Sequence, residues 1–216
     1  MATTVHEPQL DRFAHGDGDW SNLPPTGDLR RVRNPSPPPA STGIWVVLAS
    51  ITMTFAAFTS ALIVRQGSAR DWHHFTLPPI LYLNSLMIIA SSITLEIAKK
   101  HITTFMTSLH KGKVPTRWLY ITLFLGILFV AGQTYAWLQL KSQGFGLATN
   151  VSYSFFYVLT VAHALHVLGG LGGLVRVINK LNNATLKRST LNATTLYWHC
   201  MGALWLYLLL LLWMKL

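Results

Sequence analysis

Charged residues are scarce in this chain, and acidic residues are the scarcest of them. Only 11% of the 216 residues are charged, and seven of these are Asp or Glu, whereas a soluble domain carries about 25% charge. The one cysteine, Cys200, excludes a disulfide within the chain. Because 51% of the residues are also hydrophobic, the composition excludes an ordinary soluble domain and indicates an integral membrane protein.

Residues 1–42 lack the long apolar runs that fill the rest of the chain. They hold most of the prolines and most of the acidic residues, including the segment NPSPPPA, which favours extended backbone over a packed core. No apolar core follows a short basic start, so the segment does not have the pattern of a secretory signal. We expect residues 1–42 to form a disordered, Pro-rich cytoplasmic arm and residues 43–216 to form a transmembrane domain.

From Gly43 onward, five apolar runs are long enough to cross a bilayer, which takes about 20 helical residues. Charged and turn-forming segments separate them. The sequence therefore predicts an all-α fold, an integral membrane bundle of five transmembrane helices. The predicted spans are approximately 43–65, 77–98, 118–140, 150–177 and 194–214.

Basic residues are distributed unevenly between the two sides of this bundle. With the amino terminus in the cytoplasm, the inside segments hold 13 Lys and Arg residues and the outside segments hold four. Lys and Arg favour the cytoplasmic side of a membrane, so we expect a cytoplasmic N-terminus and a periplasmic C-terminus. The same distribution accounts for the net charge of +10, and we therefore expect no nucleic acid among the partners.

Glu96 is the one acidic residue within a predicted span, and it lies just before Lys99 and Lys100. Side chains three and four residues apart meet on a helix, so an ion pair with one of these lysines is the simpler interpretation. The alternative is that Glu96 collects protons at the cytoplasmic face. No second carboxylate in the spans would extend a proton path through this chain.

Three histidines, His163, His166 and His199, lie within the spans. A membrane haem needs two imidazoles that face each other from different helices, and zinc or copper needs three or four ligands. Neither set is readily completed here, so we expect no catalytic group, cofactor or metal site in this chain. Instead, we expect the ring nitrogens to bind polar groups across helices, so that replacing His163 by Leu weakens packing without changing a haem spectrum.

Small and polar residues recur at helical spacings within the spans. A small-xxx-small pair lets another helix approach closely, and a polar stripe in hydrocarbon must face protein. The candidates are the pair Gly169 and Gly173, the pair Asn84 and Ser91, the pair Ser92 and Glu96, and Gln133 in the third span.

Four segments together resemble subunit III of the haem-copper oxidases. LPPILYLNSLMIIASSIT resembles that family's Leu-Pro helix with an Asn and paired serines, and LGILFVAGQTYAW resembles its Gly-Gln-x-Tyr-Glu-Trp helix. FFYVLTVAHALHVLGG resembles its His-Gly-x-His-Val helix, and YWHCMGALWLYL resembles its Tyr-Trp-His-Phe-x-Asp helix. The order and spacing match through all the spans, in the shorter, five-helix form of that subunit.

This resemblance implies a non-catalytic accessory subunit of a respiratory haem-copper (cytochrome c) oxidase in a bacterial inner membrane. Such a subunit packs against the catalytic subunit I and other oxidase subunits, stabilises the catalytic subunit, and holds phospholipid in a cleft, while haem and copper lie in the partner subunits. Carried onto this chain, the lipid-cleft and packing positions are Asn84, Ser91, Ser92, Gln133, His163, His166, Trp198, His199 and Trp205.

Three positions depart from the family's pattern. Ile51, Ala136 and Gly202 stand where the family has acidic residues, which makes the bundle more inert and weakens the case for a role in proton transfer. Three alternatives stay open at this point: a subunit-III-like partner of nitric oxide reductase, a small b-type cytochrome, and a small transporter. The b-type cytochrome would bind haem as an isolated chain, and the transporter would need a polar site near mid-membrane.

Overall fold

A computed structural model of the chain describes residues 39–68, 78–107, 116–144 and 151–215. In these ranges the backbone forms five α-helices, and each is long and apolar enough to cross a membrane. The all-helical, five-span fold is therefore confirmed, whereas residues 1–38 of the expected arm lie outside the described ranges. The helices are α1 (Pro39–Ser68), α2 (Ile80–Thr107), α3 (Arg117–Ser142), α4 (Val151–Asn182) and α5 (Arg188–Lys215).

Several helices extend past the apolar runs that predict them. Helix α2 continues through Lys99 and Lys100 to Thr107, and α5 begins at Arg188 rather than near residue 194. Charged residues mark where a helix leaves the hydrocarbon, but they do not interrupt its backbone hydrogen bonds. Helix α1 begins at Pro39, inside the segment expected to be the arm, because proline is well tolerated at a first helical position.

Helices α2 to α5 close a four-helix bundle, in which α2 packs on α3, α3 on α4, α4 on α5, and α5 on α2. Helix α1 lies beside this bundle and packs against α5 and, over a shorter stretch, against α4. Helix α5 therefore has three neighbours, and the two tryptophans on its inner face, Trp198 and Trp205, are buried.

Large apolar side chains cover the outside of the helices. A soluble protein would expose far fewer of them, whereas lipid chains are as apolar as leucine and accept such a surface without cost. Examples that are more than 60% accessible include Trp45, Met53, Phe124, Leu165 and Trp213.

The connection from α4 to α5 is short and closed by a helix-ending hydrogen-bond pattern. The N–H of Thr185 donates to the carbonyl of Lys180 at 2.9 Å, and the N–H of Ala184 donates to that of Leu181 at 3.1 Å. This is the paired arrangement of a Schellman motif, which places its next-to-last residue in the left-handed region. Ala184 has a φ of 53°, although glycine is the residue that adopts this conformation without strain.

Candidate functional site

Two tryptophan–serine hydrogen bonds join α5 to α2. Trp198 Nε1 donates to Ser91 Oγ, and Trp205 Nε1 donates to Ser85 Oγ, each at 3.0 Å. All four side chains are buried. Each serine hydroxyl in turn donates to a carbonyl of its own helix, that of Ile88 or of Leu81, so the hydroxyl is used as both donor and acceptor.

Ser91, Trp198 and Trp205 are among the residues singled out from the sequence, and the structure brings them together across one interface. Ser85 was not anticipated. Ser85 and Ser91 are six residues apart on α2, and their partners are seven apart on the antiparallel α5. Seven residues return to nearly the same helix face, whereas six residues leave the two serines about 120° apart around α2, so spacing alone gave no signal for Ser85.

Glycines on two helices enclose the Trp198 indole. A Cβ atom on Gly126 of α3 would lie 2.7 Å from Trp198 Cη2 and also 2.7 Å from Leu171 Cδ2, while one on Gly170 of α4 would lie 3.1 Å from Trp198 Cε3. The closest approach in the glycine-rich stretch of α4 is therefore at Gly170. At Gly169 and Gly173, the predicted pair, the nearest atoms to such a Cβ are 3.6 Å and 3.5 Å away.

Helices α2 and α3 are joined by polar side chains at two levels. Asn84 Nδ2 donates to Gln133 Oε1 at 3.4 Å, and both residues are fully buried. The hydroxyls of Thr94 and Thr122 are 2.9 Å apart. A Cβ on Gly132 would overlap Asn84 Oδ1, so glycine at that position, which the sequence did not point to, makes room for the buried amide.

His163 has an unexpected environment. It is fully buried, and its ring lies 5.3 Å from that of Trp205, 6.0 Å from that of Phe129 and 6.3 Å from that of Phe55, measured between centroids. Neither ring nitrogen has a hydrogen-bond partner among the described residues. The expected hydrogen bond across helices is therefore wrong for His163, because its helix rotation directs the ring into an aromatic cluster.

His166 differs from His163 although it lies less than one turn away. Its Nδ1 is 2.7 Å from the carbonyl oxygen of Ala162 on the same helix, so the expected bond across helices is also wrong for this ring. The contact with α5 is made by the backbone instead, because the hydroxyl of Tyr197 donates to the His166 carbonyl at 2.9 Å. The His166 ring also lies 5.7 Å from that of Phe55 on α1.

Glu96 has two basic neighbours in the structure. Its Oε2 is 3.8 Å from Lys99 Nζ on the same helix and 3.5 Å from His199 Nε2 on α5. The three side chains are between 33% and 42% exposed, so they lie at the surface of the bundle rather than in its core. The sequence indicated the Lys99 contact but not the contact with His199, which depends on how α2 and α5 are aligned.

The three positions at which acidic residues of the family are replaced all face the interior. Ile51 is 7% exposed, Ala136 is fully buried, and Gly202 is also buried. A carboxylate at position 51 or 136 would face protein rather than lipid. At Gly202, the absent side chain leaves space beside Ser92, whose Oγ would lie 3.4 Å from a Cβ.

Two clefts open between α5 and its neighbours. The first, of about 420 Å³, lies between α4 and α5 near the start of α1 and is lined by Gly169, Gly173, Arg176, Lys180 and Tyr197, among others. The second, of about 370 Å³, lies between α2 and α5 and has Glu96 and His199 at one end. In the part of the chain that the structure describes, no three His, Cys, Asp or Glu side chains come together as a metal-ligand set.

The family model and the similar proteins that match this chain all point to the same family. The model of the family cytochrome c oxidase subunit III matches residues 42–215. Cytochrome c oxidase subunit 3 of Thermostichus vulcanus is 28% identical over 184 residues, which cover 79% of this chain and 84% of that protein. The same subunit of Corynebacterium diphtheriae is 29% identical over 178 residues, or 77% and 83% of the two chains.

A third relative, the probable cytochrome c oxidase subunit 3 of Nocardia farcinica, is 29% identical over 194 residues, which cover 84% of this chain and 89% of that protein. The match to the family model, over residues 42–215, runs through α1 to α5. The chain therefore belongs to the cytochrome c oxidase subunit III family.

Proposed function

We propose that this chain is a non-catalytic accessory subunit of a respiratory haem-copper (cytochrome c) oxidase, where it stabilises the catalytic subunit I and holds phospholipid. The observation that carries the proposal is the family match over residues 42–215. The interior supports it, because several buried polar side chains form contacts between helices, such as the bond from Trp198 to Ser91. Haem and copper then belong to the partner subunits.

The cleft between α4 and α5 supports the lipid-holding role. Arg176 and Lys180 lie one turn apart on α4 and line the same cleft as Gly169 and Gly173. Guanidinium and ammonium groups bind phosphate oxygens, and the glycines leave an open, apolar path for an acyl chain. This combination favours a phospholipid with a net negative charge, such as phosphatidylglycerol.

The distribution of basic residues supports the orientation of the subunit. Four basic residues fall on one side of the bundle: Arg176 and Lys180 near the end of α4, Lys187 in the connection, and Arg188 at the start of α5. Since such residues favour the cytoplasm, the N-terminus is cytoplasmic, the C-terminus is periplasmic, and the membrane is the bacterial inner membrane. The cleft with Arg176 then opens toward the cytoplasmic leaflet.

Affinity purification of the tagged full-length chain from mild detergent tests the accessory role. We expect the chain to copurify with a haem-copper catalytic subunit and to carry no haem when it is isolated from that complex. Stoichiometric haem in the isolated chain would replace the proposal with a b-type cytochrome. A complex that reduces nitric oxide rather than oxygen would place the chain with nitric oxide reductase instead.

The lipid-holding role is tested in the same complex by measuring bound lipid with native mass spectrometry. We expect Arg176→Gln to retain roughly tenfold less phosphatidylglycerol, because one charge-assisted contact to phosphate is lost. Lys187→Gln is the matched control, since it removes an exposed cytoplasmic charge outside the cleft. Equal loss in both variants would mean that net charge, rather than the cleft, attracts the lipid.

A further inference from the structure

The cleft between α2 and α5 differs in chemistry from the one that contains Arg176. Its walls are apolar along most of its length and include Ile89 and Ile93 of α2 and Ala203 of α5. Gly202 contributes no side chain, which keeps the floor open. The polar lining residues are Ser92, near the middle of the cleft, and Glu96 and His199, which meet at one end. This gradation matches a molecule with one polar end and one long apolar end.

Among the residues that the structure describes, none donates closely to the carboxylate of Glu96. Its contacts to Lys99 and His199, at 3.8 and 3.5 Å, are longer than the 2.7–2.9 Å of a charge-assisted hydrogen bond. Glu96 is 42% exposed and lines the cleft, about one helical turn before Lys99 on α2. At this depth the groups that surround a transmembrane helix are lipid headgroups rather than free water.

We propose that this cleft binds phosphatidylethanolamine, with the primary ammonium of the headgroup on the Glu96 carboxylate and an acyl chain along Ile89, Ile93 and Ala203. The ammonium has three N–H donors for a carboxylate that has no close one. His199 lies beside Glu96 and offers a ring N–H to the lipid phosphate. The cleft volume of about 370 Å³ falls in the range of small-molecule sites, roughly 300–1,000 Å³.

This assignment is favoured over a proton-collecting role for Glu96. A proton path needs a chain of titratable groups, and beyond the Glu96–His199 pair the lining of this cleft offers none. The assignment is also favoured over a partner helix, because the one acidic side chain in the lining lies at one end of the cleft and its walls are otherwise mainly apolar. The inference extends the proposed lipid-holding role to a second site with the opposite charge preference.

The test compares lipids that differ only at the headgroup nitrogen. The purified oxidase complex with the full-length chain is exchanged into vesicles of phosphatidylethanolamine, phosphatidylcholine and phosphatidylglycerol in equal amounts, then extracted, and its bound lipids are counted by native mass spectrometry. Phosphatidylcholine has a quaternary nitrogen with no N–H to donate. We expect the wild-type complex to retain about tenfold more phosphatidylethanolamine than phosphatidylcholine. A tenfold ratio corresponds to the free energy of one charge-assisted hydrogen bond.

Two variants locate the site. Glu96→Gln keeps the size of the side chain and removes its charge, and we expect the preference for phosphatidylethanolamine to disappear while phosphatidylglycerol stays bound. Ala203→Leu leaves the Glu96 headgroup contact in place and adds volume to the exposed cleft wall, so we expect retained phosphatidylethanolamine to fall as well. Arg176→Gln is the reciprocal control, since it should lose phosphatidylglycerol and keep the ethanolamine preference.

The outcomes separate this inference from the proposed function. If Glu96→Gln keeps the wild-type preference, the second site is refuted, whether another subunit fills the cleft or the lipid binds elsewhere. If the wild-type complex shows no preference but retains phosphatidylglycerol through Arg176, the inference fails and the lipid-holding role stands. If the chain does not copurify with an oxidase, the proposed function itself fails.

Discussion

The hydrogen bond between Trp198 and Ser91 gives a quantitative prediction about how the bundle is held together. Ser91→Ala removes the hydroxyl that accepts from Trp198 Nε1 at 3.0 Å and leaves the apolar contacts almost unchanged. The indole is 1% exposed and is bounded by Gly126 and Gly170. It therefore has neither water nor room to turn toward a new acceptor.

The expected cost follows from that confinement. Leaving a buried donor without a partner costs about 1–3 kcal/mol in proteins, whereas hydrogen bonds between membrane helices contribute about 0.6 kcal/mol on average and at most about 1.7 kcal/mol. The average includes sites where the donor finds another partner in the mutant. Since Trp198 cannot, we expect Ser91→Ala to lower the free energy of unfolding by about 1.5 kcal/mol.

The assay is equilibrium unfolding of the full-length chain in mixed detergent micelles, followed by helical circular dichroism. A double-mutant cycle with Trp198→Phe isolates the hydrogen bond, because phenylalanine has no N–H to leave unpaired. We expect a coupling energy of about 1–2 kcal/mol between the two positions. Ser142→Ala is the matched control, since that exposed hydroxyl bonds only within its own helix.

Two results would refute this reasoning. A loss in Ser91→Ala no larger than that in Ser142→Ala would mean that the hydrogen bond contributes nothing net. A coupling energy near zero, with a large loss in each single variant, would mean that Ser91 and Trp198 stabilise the bundle through separate contacts.

Three further substitutions test other parts of the structure. Gly126→Ala should lower the free energy of unfolding by about 1–3 kcal/mol, because its Cβ would overlap Trp198 and overpack the core. Gly172→Ala is the control and should leave the free energy of unfolding unchanged, because no atom lies near a Cβ at that position. His163→Leu should leave stability within about 1 kcal/mol of wild type and the haem spectrum of the complex unchanged, because no hydrogen bond of the ring is lost. Ala184→Gly should raise stability by about 1 kcal/mol, because it relieves a positive φ.

Each of these substitutions is checked in the same unfolding assay, and the haem spectrum is recorded on the purified complex. Equal effects of Gly126→Ala and Gly172→Ala would contradict the close packing at Trp198. A shifted haem band in His163→Leu would indicate a ligand, and a large loss of stability would mean that the contacts of the ring with Phe55, Phe129 and Trp205 stabilise the bundle. No gain in Ala184→Gly would mean that the α4–α5 connection relaxes in the membrane.

The sequence predicted the elements of the fold well because crossing a membrane is a local property. Any run of about 20 apolar residues must satisfy its own backbone hydrogen bonds, and a helix is the way to do so. The positions of the five runs therefore lead directly to α1 to α5. The ends were less predictable, as α2 and α5 show, because a helix can continue in the headgroup region after its apolar residues end.

The contacts between helices were predicted only in part. Spacing placed Ser91 among the packing residues and the family resemblance added Trp198 and Trp205, and all three take part in hydrogen bonds between α2 and α5. Spacing could not reveal that the His163 ring lies among aromatic side chains without a hydrogen bond. The spacing of residues shows which side chains share one face of a helix, but the side chains they contact depend on the neighbouring helix.

By itself, the sequence determined that this protein is a five-helix membrane bundle with few groups capable of chemistry, because hydropathy and composition act within each segment. Only the tertiary structure decided that His199 meets Glu96, that two glycines enclose Trp198, and that separate clefts border Arg176 and Glu96. These features depend on the relative rotation and depth of helices far apart in the chain. Each residue turns a helix by about 100°, so a small change in either quantity exchanges one contact for another.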